Sequence, residues 1–432
     1  MRIGYFAKDW DPLNASAFHQ SMVDALRRLG HEVVVLTTRS QPQARLVAAE
    51  EQALGVSVFA VAPGSTPRDR FGKWLGSRWL DAPLYGVAHE AFRRFLERYR
   101  DLDLLHVEFA WPFALAAIRA SRQKNGGQAR SWPRVVVTPQ GNDIMSVPEA
   151  GFGSGRFALV RSRLRQLFRQ VDAVRAISPF VADLVCSRYG ADPNRVHIVR
   201  CNIADHCFPD PAADLPAYRA ECREAFSERH GLGDGPLLVA VCRVIPLKGV
   251  ATMIRAMAEV RAALPGARLA IIGETRVAGY ADYGERMGAL ARDLGLQETV
   301  RLLGRLPHSE IRGSLAAADL FISMTLQETM NRAIAEAAAV GTPAIFTPGH
   351  GIAAYLDGQG CSRIVPAGDP RAAAAAAVEV LQDQAAWTIM SRRCVEIAQD
   401  FRADRVAPQL LAVYERVLAP LGPSGPERRP KA

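Results

Sequence analysis

Two cations and two carboxylates carry the densest chemistry in this sequence. Arg243 and Lys248 stand five residues apart in Val241-Cys242-Arg243-Val244-Ile245-Pro246-Leu247-Lys248-Gly249, just past an apolar run. The run reads as a strand and the residues after it as the opening of a helix, whose free amides point the same way. Such a group suits a diphosphate, with charge from the side chains and hydrogen bonds from the amides. A solvated strand-to-helix loop would carry the same residues, and this segment alone leaves both readings open. Glu328 and Glu336 lie eight positions apart in Leu326-Gln327-Glu328-Thr329-Met330-Asn331-Arg332-Ala333-Ile334-Ala335-Glu336. On one helix that separation sets them roughly 80° apart on the same side, with Glu328 at the helix mouth. Carboxylates accept from vicinal hydroxyls, so the pair suits a ligand carrying sugar and ribose. Two solvated glutamates would show the same spacing.

These residues need strands and helices to bring them together. In the first half, short apolar strands at 2–6, 32–37, 56–61, 104–108, 135–138, 173–177 and 196–199 are separated by helical patterns, such as Phe18, Met22, Leu26 and Leu29 before Gly30. Strands separated by helices pair in parallel, giving a doubly wound sheet. Residues 202–235 are rich in Pro, Asp and Gly and read as a linker with a short helix. The alternation then restarts at Leu237–Cys242 and runs to a helical end, including 406–418. The fold class expected is therefore α/β, with two Rossmann-like doubly wound domains facing each other and a site at the carboxyl ends of their strands. The expected division is 1–205, a linker at 206–235, 236–400, a returning helix at 401–420 and a disordered tail at 421–432.

Composition narrows the class further. The chain has 432 residues, 49% hydrophobic and 22% charged, which is globular and long enough for two domains. Only five of its 53 basic residues are lysines, so the net charge of +9 reads as compositional bias, not a nucleic-acid footprint. Seven scattered cysteines without a Cys-x-x-Cys pair point to neither a disulfide framework nor zinc. The N-terminus turns polar after six residues and no run of 18 apolar residues occurs, so a cytoplasmic protein without signal or membrane span is expected.

Arg-x4-Lys, then Glu-x7-Glu about 80 residues on, then Gly341-Thr342-Pro343-Ala344-Ile345, resemble the retaining glycosyltransferases of family 4, which have the GT-B fold. Ile272-Gly273, Val300–Gly304, Ala318–Ser323 and Ile364–Pro370 extend the likeness, as do Leu29–Val33, His106, Thr138, Gly141, Asp143 and Asn202 in the first half. The resemblance implies transfer of a sugar from a nucleoside-diphosphate sugar, UDP first and GDP next, to an acceptor hydroxyl. The acceptor would be a sugar, a lipid-linked glycan or a small molecule. By the resemblance, Arg243 and Lys248 bind the diphosphate, Glu328 touches the transferred sugar and Glu336 holds the ribose. It also implies donor contacts at Gly273, Leu303, Met330, Asn331 and Arg332, and acceptor-side or cleft positions at Asn14, Ser16, His106, Gln140 and Asp143. No cofactor and no metal are expected.

Departures from the family pattern occur in both halves, with Thr329-Met330-Asn331 in place of the usual Gly-Phe-Gly and Asn202-Ile203 in place of Asn-Gly; donor chemistry is expected to survive them, and the acceptor side changes most. Pro12–Ser16 stands where a Gly-Gly loop is usual, Gln140 where the family has a histidine, and Glu108 where a second histidine follows His106. Glutamine can hydrogen-bond a sugar but cannot carry a proton. Asp101-Leu102-Asp103 precedes a strand and is set aside as a metal site, and the nine histidines lack metal-ligand spacing. Arg161, Arg165 and Arg169 read as the solvated face of a packed helix. Arg68–Leu80 interleaves cations with Phe71, Trp74 and Trp79; a packed lid, an acceptor wall, nucleic-acid stacking and peripheral contact with an anionic membrane all fit it. Two other functions share these features: a nucleotide-sugar epimerase of the same fold, which would act without acceptor, and a non-catalytic nucleotide-sugar-binding partner protein.

Overall fold

A computed structural model describes residues 1–8, 10, 16–38, 47–53, 55–62, 85–122 and 133–419. Asn14, the 68–80 segment and the tail after 419 lie outside the described residues.

The first unit is an eight-stranded sheet. Its strands are β1 (Arg2–Ala7), β2 (Glu32–Thr38), β3 (Val47–Ala53), β4 (Val56–Ala62), β5 (Leu104–Glu108), β6 (Arg134–Thr138), β7 (Ala173–Ala176) and β8 (Val196–Ile198), in the order β3-β4-β2-β1-β5-β6-β7-β8. All pairs are parallel except β3 with β4. The second unit has six strands, all parallel: β9 (Leu237–Val241), β10 (Arg268–Ile272), β11 (Val300–Gly304), β12 (Leu320–Ser323), β13 (Ala344–Phe346) and β14 (Ser362–Ile364), in the order β11-β10-β9-β12-β13-β14. Both sheets are built from runs such as Val33-Val34-Val35-Leu36 and Leu237-Leu238-Val239-Ala240, buried on both faces, as helix-covered parallel strands require. The strand order reverses between β1 and β5 and between β9 and β12, and crevices open at those points.

Two elements differ from the expected pattern. β3 has the sequence VAAEEQA, whose Ala and Glu favour helix; it is the antiparallel edge strand, with Glu50 and Glu51 exposed. The 206–235 stretch holds a 16-residue helix, Leu215–His230, which packs on His308–Ala317. Asp214 caps its start by accepting from the Ala217 amide.

The last helix, Ala403–Leu418, leaves the second unit and lies on the first sheet. Val406, Ala407, Leu410 and Tyr414 are buried in one cluster with Ile3, Tyr5, Leu26 and Val35. The two chain crossings between the units run side by side: the Ile203 amide donates to the Phe401 carbonyl (3.0 Å), and Arg200 pairs with Asp400 (3.1 Å). Among the described residues no helix is long and apolar enough to cross a membrane, and no cluster of three or more His, Cys, Asp or Glu side chains could hold a metal ion.

Candidate active site

β9 delivers Arg243 to the cleft. After it the chain makes a single turn, Pro246–Lys248, and the helix Val250–Ala263 begins at Gly249. Gly249 has φ +64°, and a Cβ there would meet the Met324 carbonyl oxygen at 2.0 Å. Only glycine lets this turn press against the end of β12 and carry Lys248 to Glu328, where ammonium and carboxylate form an ion pair. Gly249→Ala is expected to cost about 2 kcal/mol or more, measured as a lowered urea midpoint. Arg243 is exposed, its guanidinium 5.7 Å from the centre of the Phe152 ring across the cleft.

The two glutamates do not share a helix. Glu328 sits in extended chain bridged to His350, its amide donating to the Gly349 carbonyl and its own carbonyl accepting from Gly351. The helix Arg332–Ala339 starts only after Asn331, which takes φ +70° and donates to Ser323 Oγ (3.1 Å). Glu336 is thus the fifth helical residue, and the 80° relation does not apply. Both carboxylates nevertheless line one cavity of about 550 Å³ together with Arg243, Lys248, Asn331 and Arg332. Burial opposes ionisation of Glu328, but Lys248 outweighs it and holds the carboxyl below its usual range. Glu336 feels only the weaker pull of Arg332, and burial outweighs it and pushes the carboxyl up.

The first unit closes the cavity with Lys8, Ser16, Phe18, Gln140 and Asn142. Gln140 is held from behind: its Nε2 donates to Glu108, and its Oε1 accepts from Arg332 Nη1 (3.4 Å). Arg332 in turn lies 3.9 Å from the centre of the Phe18 ring. Further bonds cross between the units, from Thr329 Oγ1 to the Gln140 carbonyl (2.8 Å), Ser178 Oγ to the Thr329 carbonyl (2.8 Å) and Tyr280 to the Ala150 carbonyl (2.6 Å).

Behind Gln140 lies a buried polar cluster. Glu108, fully buried, accepts from Tyr5 (2.7 Å) and Gln140, with Arg175 Nη1 at 3.8 Å and His106 Nε2 at 3.4 Å. Burial disfavours its charge, but His106, His19 and Arg175 outweigh that and hold the carboxyl well below the usual range. Burial pushes the neighbouring His19 down to about 3.

Several expected site residues belong elsewhere. His106 does not face the cleft: it is fully buried between Thr138 Oγ1 (2.8 Å) and the Tyr414 hydroxyl, because the last helix covers that side of β5. Asp143 is also buried, its carboxylate accepting from the amides of Ala110, Gln140 (3.1 Å) and Gly141 (2.7 Å); it shapes the loop instead of meeting a ligand. Burial raises its carboxyl to about 6. Leu303 lines neither the main cavity nor its neighbours, whereas Arg305, two residues on, lines both the main cavity and an adjoining one of about 450 Å³ that Gly273 also borders. Met330 is buried at the cavity wall. Lys8, Phe18, Phe152, Arg305 and His308 escape sequence reasoning; the only cue is that Lys8 and Arg305 directly follow strands β1 and β11.

With this geometry in hand, comparison with known proteins is informative. Residues 235–383 match the family model described as Glycosyl transferases group 1, and 15–202 match Glycosyl transferase 4-like domain. The chain is 28% identical over 410 residues to a D-inositol 3-phosphate glycosyltransferase of Kineococcus radiotolerans, covering 91% of this chain and 88% of that relative. It is 30% identical over 188 residues to a GDP-mannose-dependent alpha-(1-6)-phosphatidylinositol monomannoside mannosyltransferase of Mycolicibacterium smegmatis, spanning 44% of this chain and only 43% of that protein. Among solved structures, the catalytic domain of starch synthase IV from Arabidopsis thaliana superposes with a TM-score of 0.77 at 17% identity, covering 96% of this chain and 99% of the other. The Anabaena protein HepE in complex with UDP-glucose gives 0.69 at 17% identity, covering 96% and 100%. These superpositions place the fold among GT-B structures.

Proposed function

Because this chain belongs to the GT-B glycosyltransferases of the family 4 type, we propose that its cleft moves a sugar from a nucleoside diphosphate to an acceptor hydroxyl with retention of configuration. The observation that carries this reading is the meeting of Arg243, Lys248, Glu328 and Glu336 in one cavity between the two sheets. In the transfer, the bond from the sugar C1 to the diphosphate oxygen breaks and its electron pair leaves with the diphosphate. The acceptor oxygen bonds to C1 on the same face, and its proton passes to the departing diphosphate oxygen. Arg243 and Lys248 stabilise the charge that grows on that diphosphate. Glu328, already engaged by Lys248, accepts from the sugar hydroxyls and is not a free nucleophile, which favours front-face attack. Glu336 takes the ribose hydroxyls. Gln140 orients the reacting groups and carries no proton.

UDP stands first as the donor nucleotide, supported by the HepE complex, and GDP next, supported by the mannosyltransferase relative. The acceptor is a polyhydroxy compound, either small or lipid-linked, which fits the names of both relatives. Two side-chain cations supply the counter-charge, so metal independence is expected.

Thermal unfolding with UDP, GDP, ADP and TDP, each without and with magnesium, tests the reading. One series should stabilise the chain by roughly 2.7 kcal/mol at about 100 times its dissociation constant, with magnesium making no difference. If no nucleotide raises the melting temperature, the reading fails.

A further inference from the structure

Asn331 lines the main cavity in a backbone conformation that costs energy to hold. Its φ of +70° is one that glycine adopts freely and other residues rarely do. The family pattern has glycine here, so the side chain is this chain's own addition to the wall. Strain of this kind persists only where the surroundings hold it, and it directs attention to what the side chain does.

What holds Asn331 lies inside the wall. Its Nδ2 donates to Ser323 Oγ (3.1 Å) and to His350 Nδ1 (3.1 Å). An amide nitrogen can only donate, so both of its hydrogens are spent and Nδ1 is the unprotonated ring nitrogen. Burial pushes His350 down to about 4, which keeps the ring neutral at neutral pH. Ser323 and His350 are buried and neither lines the cavity, whereas Asn331 does. The amide nitrogen thus points into the wall and leaves the carbonyl oxygen Oδ1 on the cavity side.

His350 also ties this oxygen to Glu328. The residues on either side of it clamp the glutamate backbone: the Glu328 amide donates to the Gly349 carbonyl (2.8 Å), and the Gly351 amide to the Glu328 carbonyl (2.9 Å). A Cβ at Gly351 would meet the Thr329 carbonyl oxygen at 1.9 Å, so the two segments are pressed together. One residue therefore sets two acceptors of the same cavity, Glu328 through its backbone bridge and Asn331 Oδ1 through its ring. Acceptors pinned in this way suit the hydroxyls of one sugar ring, because little side-chain freedom is lost on binding.

We propose that Asn331 Oδ1 accepts a hydrogen bond from a second hydroxyl of the transferred sugar, beside the one taken by Glu328, and that His350 is the positioning residue that aims it. The site then selects a donor sugar with both hydroxyls free and discriminates against one deoxygenated at either. The proposal rests on the glycosyl-transfer reading above and adds to it which sugars are accepted.

The test titrates the full chain by calorimetry with UDP, GDP, UDP-glucose and GDP-mannose, then with the 2-, 3-, 4- and 6-deoxy analogues of the sugar nucleotide that binds tighter. Two of the deoxy analogues should bind about fivefold or more weaker than the parent sugar. Asn331→Gly keeps the backbone, since glycine takes φ +70° without cost. It should abolish one of the two penalties and leave the other, which belongs to Glu328. His350→Leu should shrink the same penalty as Asn331→Gly. His350→Asn, whose side-chain oxygen can stand in for Nδ1 as acceptor, should restore it. The proposal is overturned if Asn331→Gly leaves every ratio as it was or lowers all alike, or if the two His350 variants behave alike. It is also overturned if a bare nucleotide binds but neither sugar nucleotide does. Failure of all four ligands to bind is a distinct result that removes the transfer reading itself.

Discussion

Alanine at Lys248 is expected to lower glycosyl transfer by about 10²-fold or more, and alanine at Arg243 to do the same, with the main loss in kcat. On the proposed reading each cation meets charge that exists in full only as the diphosphate leaves, so its removal should weaken the transition state more than the bound donor. Lys248 has a second task, because it is the ion-pair partner of Glu328. In Lys248→Ala the Glu328 carboxyl loses the group that holds it down, and burial then pushes it up toward the neutral form. The rate of Lys248→Ala should therefore change with pH in a way that the rate of Arg243→Ala does not. Arg243 is exposed and, among the described residues, its guanidinium rests on Phe152, so its variant should melt like the parent chain. Steady-state transfer assays on both proteins, with melting curves alongside, check this. Near-normal rates in both would remove the diphosphate assignment.

The largest stability effect is expected at Glu108, which no ligand need touch. Glu108→Ala should cost about 3–5 kcal/mol, because Arg175 is left as a buried charge without its carboxylate, and Tyr5 and Gln140 lose their acceptor. Urea denaturation measures this directly, and a loss under about 1 kcal/mol would contradict the buried-pair account. The pH dependence has a definite sign. His19 and His106 are lowered by burial, so the unfolded chain takes up protons they refuse; stability starts to fall as pH drops through the ordinary histidine value of about 6.5. Glu108 is held below the usual range, so its contribution is complete at neutral pH and is lost as pH falls below the ordinary glutamate value of about 4.3. Glu108→Gln should keep the first decline and flatten the second.

The strands that read most clearly were those with nothing but burial to satisfy. Val33–Leu36 and Leu237–Ala240 are apolar on both faces, and that pattern has one reading in an alternating chain. β3 was invisible because an edge strand needs only one partner and tolerates Ala and Glu that signal helix elsewhere. The eight-residue spacing of Glu328 and Glu336 pointed to two residues that do meet, but by a helix geometry that does not exist: a left-handed Asn331 separates them. His106 shows the opposite failure. Its place near the end of a strand suggested the cleft, whereas its side of the sheet lies under a helix some 300 residues further along the sequence, a contact no local pattern carries. Arg305 was hidden by abundance among 48 arginines, and Lys8 stands in no motif that marks it.

The paired crossings between the units bear on how the cleft can open. A single flexible connector would let one unit twist and slide freely against the other. Here two antiparallel passes, tied by the Ile203–Phe401 hydrogen bond, the Arg200–Asp400 pair and the stacking of Arg200 on Tyr355 and Phe401, act as one short plate. Two passes tied side by side resist sliding within their common plane more than bending across it, which favours a rotation about a line through both as the opening motion. Points near that line scarcely move, while Arg243 and Phe152 on opposite walls separate in proportion to their distance from it. The cleft is thus bound like a book along one spine, so that any opening would part the two walls and any closing would return the same facing residues to the same register.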